Sequence, residues 1–139
     1  MRDYGPMRHH PSKPRVLVVE DDEAERMALA RVLRDAGFSV GLAEDGEQAL
    51  LTLEHNAPPA LVLLDLLMPR VNGWQVLQTM ERTARLADIP VIVLTAFAAR
   101  GGLPVGCRVL HKPFERDVLL AEARAVTRTS AAAASFIEN

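Results

Sequence analysis

Four short apolar runs constrain this chain more than any other feature. RVLVVE (residues 15–20), ALVLLD (60–65), VIVLTA (91–96) and RVLH (108–111) are rich in branched residues and lack the polar alternation of a half-exposed strand. Such runs read as strands buried on both faces, which requires a sheet covered by helices above and below. The stretches between them carry helical spacing. Met27, Leu29, Ala30, Val32 and Leu33 form an inward face that Gly37 terminates. Asp45 and Gly46 open a second helix with Ala49, Leu50 and Leu53 on one side. Asn72 is placed to cap a third, containing Val76, Leu77 and Met80. Residues 38–43 alternate like a further strand, and a last helix is expected over 115–128 with Val118, Leu119, Ala123 and Val126 inward. Strand followed by helix, repeated, implies parallel strands, right-handed crossovers and helices on both faces.

The expected fold is therefore α/β, a doubly wound five-stranded parallel sheet in a flavodoxin-like sandwich. Its ligand site should lie beyond the carboxyl ends of the strands, where the strand order reverses. At 139 residues, 49% of them apolar, the chain suffices for one domain with a single core. Residues 15–129 are assigned to that domain. The segment 1–14, MRDYGPMRHHPSKP, reads as a disordered arm in which His9 and His10 need no function, and 130–139 is assigned to a tail whose alanine-rich run, 131–135, reads as a fraying helical extension or plain tail. A net charge of -2 gives no reason to expect nucleic acid or an anionic membrane as partner. The lone Cys107 and the lack of a long apolar run point to a cytoplasmic protein.

The polar residues that end the strands carry the chemistry. The first run ends in Glu20, Asp21 and Asp22, ALVLLD in Asp65, the next in Thr95, and RVLH runs into Lys112 and Pro113. The fold would gather these groups into one pocket. Crowded carboxylates repel unless a cation neutralises them, and Mg2+ suits hard oxygen donors while keeping waters to exchange with a phosphoryl group. A carboxylate is a competent nucleophile toward phosphorus, and a metal, an ammonium and a hydroxyl can stabilise the charge that develops. No Gly-rich phosphate loop is present, which argues against nucleotide binding.

From residue 15 to 128 the sequence resembles the response-regulator receiver family of two-component signalling. The resemblance rests on VLVVEDD (16–22), LLDLLMPRVNG (63–73), VIVLTA (91–96) and HKPF (111–114), four motifs in order at the ends of expected strands. It implies Asp65 as phosphoacceptor, with Thr95 and Lys112 binding the phosphoryl group. It implies a magnesium site of Glu20, Asp21, Asp65 and the backbone carbonyl of Leu67, with Asp21 a direct ligand and Glu20 acting through water. A cis Lys112–Pro113 peptide is also implied. The implied protein is no enzyme beyond promoting its own phosphorylation and dephosphorylation. Its partners are a sensor histidine kinase or a histidine phosphotransfer protein, together with an unknown downstream protein. With no second domain following, signalling through protein contacts or a phosphorelay is expected.

Several positions depart from the family's pattern or need weighing. Gly101, Gly102, Pro104 and Gly106 leave residues 97–100 little more than one turn, so a shortened fourth helix is expected, and a homodimer should use another surface. Val109 stands where the family's switch aromatic would be. Leu67 and Phe97 occupy positions that would orient an attacking water, and neither can hydrogen-bond it, which predicts a long-lived phosphate. Asp22 is expected to serve the first helix, Trp74 to pack or anchor a partner, Cys107 to be inert, and His55 and His111 to be solvated or at a rim. A haloacid-dehalogenase-like phosphatase would need a second aspartate at Leu67, and a flavin-phosphate site would be repelled by Glu20, Asp21 and Asp22. The alternative that survives is a phosphorylation-independent interaction module retaining the fold.

Overall fold

The computed structural model describes residues 13–68, 71–96 and 107–138, with backbone alone over 129–138. Five strands and four helices lie among these residues: β1 (Arg15–Val19), α1 (Glu23–Asp35), β2 (Ser39–Ala43), α2 (Gly46–His55), β3 (Leu61–Asp65), α3 (Gly73–Arg82), β4 (Val91–Thr95), β5 (Arg108–His111) and α4 (Arg116–Glu138). All neighbouring strands are parallel, in the order β2-β1-β3-β4-β5. The doubly wound sheet expected from the apolar runs is the observed one.

Successive strand residues face opposite ways, which splits the core into two layers. Val16 and Val18 of β1, with Leu61, Leu63, Ile92 and Leu94, pack under α1 and α4. Leu17 and Val19, with Val62, Leu64 and Val93, pack under α2 and α3. The central strands β1, β3 and β4 are buried almost throughout, and this is why they read as uninterrupted apolar runs.

The helix ends follow from particular side chains. Asp22, Asp45 and Asn72 cap α1, α2 and α3, each accepting from a backbone N–H three residues on, and Gln75 returns the bond to Asn72. Gly37, at φ +100°, closes α1 with bonds from its own N–H to Arg34 O and from Phe38 N–H to Leu33 O. Arg85 donates to Leu53 O and Asn56 O, both at 2.7 Å, and so covers the carbonyl end of α2.

Three expectations change. Met27 is exposed, because the inward stripe of α1 is Arg26, Leu29, Ala30 and Leu33, which keeps three of the expected residues and puts Arg26 in place of Met27. Val118 is exposed, and Leu120 takes its place beside Leu119, Ala123 and Val126. The last helix continues past residue 128 to Glu138, so the alanine-rich run is a helical extension and not a tail. The shortened fourth helix, Phe97 and the first twelve residues of the arm lie outside the described residues.

Candidate functional site

The order β2-β1-β3 places the topological switch between β1 and β3. β1 leads into α1 on one face of the sheet, and β3 leads toward α3 on the other. The loops therefore diverge and open a crevice at the strand ends. Glu20 and Asp21 leave β1 there, Asp65 ends β3, Thr95 ends β4 and Lys112 follows β5. One carboxylate oxygen from each of Glu20, Asp21 and Asp65 lies within 4.8 Å of the other two. Lys112 Nζ donates to Glu20 Oε1 at 2.8 Å and stands 4.0 Å from Asp65 Oδ2. It also reaches Glu25 Oε2 at 3.3 Å.

Burial and hydrogen bonding hold the pocket in shape. Glu20 is 1% exposed, Asp65 7% and Thr95 2%, whereas Asp21 faces solvent. Thr95 accepts at its backbone carbonyl from Lys112 N at 2.7 Å, tying the lysine's peptide to β4. The Lys112–Pro113 peptide is cis, as the resemblance implied. Leu67 N–H donates to Asp65 Oδ1 at 3.2 Å, and the Leu67 side chain is exposed.

The electrostatics record the crowding. Burial, with Asp65 close by, pushes the Glu20 carboxyl up to about 8 against the pull of Lys112. Asp65 is also raised, chiefly by burial and in part by Asp21. Burial opposes the Lys112 charge, but the hydrogen bond to Glu20 and the field of Asp65 and Glu25 outweigh it and raise this ammonium. Both carboxyls are thus harder to ionise than isolated ones. The donor set is one that Mg2+ fits: three hard oxygen donors on one crevice, with more negative charge than a single lysine settles. When bound there it would supply a Lewis acid that neutralises charge on phosphoryl oxygens.

The remaining sequence-singled positions fall outside the cluster. Asp22 turns away to cap α1, His111 and His55 are exposed, and Trp74 and Val109 pack partly buried against the α2/α3 core layer. Cys107 is half-buried, and burial pushes its thiol up, away from reactivity. Three contributors were not legible as site residues. Glu25 competes for Lys112. Gly73 lets α3 start against the strand end: a Cβ there would lie 2.5 Å from Asp65 O and 2.6 Å from Leu66 Cα. Arg26, buried, donates to the carbonyls of the acidic pair. Its signal was present in the 26, 29, 30, 33 spacing, which puts a charged residue on the inward stripe of α1.

Fold and crevice together define an α/β protein with an acidic, lysine-bearing site at the strand ends. Residues 16–124 match the response regulator receiver domain, and the chain belongs to that family. It is 43% identical over 119 residues to the response regulator MprA of Mycobacterium sp. (strain KMS), a match covering 82% of this chain and 50% of that protein. The MprA of Mycobacterium avium (strain 104) gives 43% identity with 51% of its length covered, so the chain spans about half of these relatives. Among solved structures, the chemotaxis response regulator CheY4 of Vibrio cholerae superposes at a TM-score of 0.73, with 27% identity over 82% of this chain and 98% of that one. The receiver domain of the sensor histidine kinase PA1611 of Pseudomonas aeruginosa gives 0.76 and 28% over 83% and 98%. That structure holds a magnesium ion coordinated in its active-site cleft.

Proposed function

We propose that this chain is switched by phosphorylation of Asp65, receiving the phosphoryl group from a phosphohistidine on a sensor histidine kinase or a histidine phosphotransfer protein. The reading is carried by one observation: oxygens of Glu20, Asp21 and Asp65 within 4.8 Å of one another, with the Lys112 ammonium 4.0 Å from Asp65. In the step, an Asp65 carboxylate oxygen forms a bond to phosphorus as the donor's N–P bond breaks, and the electron pair returns to the donor imidazole. Lys112 would exchange its Glu20 bond for one to a phosphoryl oxygen, and Thr95 would take a second oxygen. Asp21, Asp65, the Leu67 carbonyl and Glu20 through water would hold Mg2+. The signal passes to a downstream protein by contact.

Intact mass measured after incubation with acetyl phosphate or phosphoramidate and Mg2+ tests this. The parent should gain one phosphoryl group, and Asp65→Asn should gain none. A parent that gains nothing would favour an interaction module working without phosphorylation, whereas a labelled Asp65→Asn would move the acceptor elsewhere.

A further inference from the structure

Among the described residues Arg26 is the one buried cation, at 8% exposure, and the reaction outlined above gives it no role. A guanidinium taken out of water is unfavourable unless its donors are met and its charge is balanced. Nη1 donates to Glu20 O at 2.9 Å and to Asp21 O at 3.3 Å. Nη2 lies 4.0 Å from the Glu44 carboxylate, just beyond the end of β2. Glu44 is itself held, since Gln48 Nε2 donates to its Oε1 at 3.2 Å and its N–H donates to Gln48 Oε1 at 2.9 Å. One planar fork thus grips two successive peptide carbonyls whose side chains are the acidic pair, and it is braced from the neighbouring strand.

The geometry points to Arg26 as a positioning residue for the metal site. By clamping the Glu20 and Asp21 peptides it fixes where both carboxylates leave the backbone. Its permanent charge offsets their mutual repulsion without occupying a carboxylate oxygen, so the oxygens stay available to a cation. Outer groups that orient ligands in this way commonly alter metal affinity by about ten-fold or more when removed. The inference rests on the magnesium reading given above. A lysine at 26 would restore charge but not the fork.

Magnesium titration by calorimetry, alongside melting curves, separates the roles. Arg26→Met keeps the stem and should weaken Mg2+ binding by about ten-fold, with Arg26→Lys intermediate. Arg85→Met, which frees two carbonyls at the end of α2, should lower the melting temperature and leave Mg2+ affinity at the parent value. An Arg26→Met protein that melts lower yet binds Mg2+ like the parent overturns the proposal. Should Arg26→Met not fold, Arg26→Lys decides, and parent-like affinity there overturns it equally. A parent that shows no Mg2+ binding overturns the metal reading, and Arg26's role with it, before any variant is compared.

Discussion

Removing metal should make this protein less stable as pH rises from about 5 to about 8, the reverse of the usual carboxylate effect. Glu20 sits near 4.5 in an unfolded chain and is pushed up to about 8 in the fold. Between these values the unfolded chain has released the proton while the native state keeps it. The native state therefore binds more protons, and unfolding gains ground with each unit of pH. Within that window each pH unit costs at most about 1.4 kcal/mol, a noticeable part of the ~5–15 kcal/mol that stabilises a small domain. Asp65, also raised, acts in the same direction. Lys112 is raised too, so its contribution is fully present below its ordinary value of 10.5 and stays level through this window. Mg2+ requires ionised carboxylates and binds the native state, so its stabilising effect should grow over the same range. Urea unfolding in EDTA, followed by Trp74 fluorescence and far-UV circular dichroism, gives the midpoints. The parent's should fall with pH, Glu20→Gln should flatten the dependence, and Mg2+ should restore the parent mainly at the alkaline end. A metal-free midpoint that is level or rising, or a slope as steep in Glu20→Gln as in the parent, would refute the reasoning.

Other variants probe the scaffold around the site. Gly73→Ala should destabilise the fold by about 1–3 kcal/mol and slow phosphorylation, since the new Cβ meets Asp65 O at 2.5 Å; denaturation and mass-labelling rates check both. Asn72→Ala removes the capping box of α3 and should lower stability by about 1 kcal/mol, read from urea midpoints, with the phosphoacceptor unchanged. Leu67→Asn puts an amide two residues beyond Asp65 and should speed loss of the phosphoryl group once donor is removed, because an oriented water lowers the barrier. Equal decay in parent and Leu67→Asn would show that lifetime is set elsewhere.

Much of the fold was legible because β1, β3 and β4 are buried on both faces and so write themselves as apolar runs. The acid cluster was legible by the same logic, since a parallel sheet delivers every strand end to one side. Helix faces were harder. On α1 the apolar residues alone select Met27, but geometry buries Arg26, whose partners are carbonyls invisible in a sequence pattern. On α4 the adjacent Val118, Leu119 and Leu120 are all apolar, and only packing decides that Val118 faces out. Glu25 is unremarkable in the first turn of α1 until β5 brings Lys112 across to it, 87 residues away. The importance of Gly73 likewise depends on how closely α3 approaches the backbone of Asp65.

The proposed switch depends on one covalent bond, between phosphorus and a carboxylate oxygen of Asp65. Borohydride reduces an acyl phosphate to an alcohol and leaves free carboxylates and phosphate esters alone, so it records where that bond formed. Protein treated with phosphodonor and Mg2+, reduced, digested and sequenced by mass should carry homoserine at position 65 and nowhere else. Homoserine at Asp21 or Glu20-derived alcohol in its place, or a phosphorylated parent that borohydride leaves unchanged, would contradict the assignment.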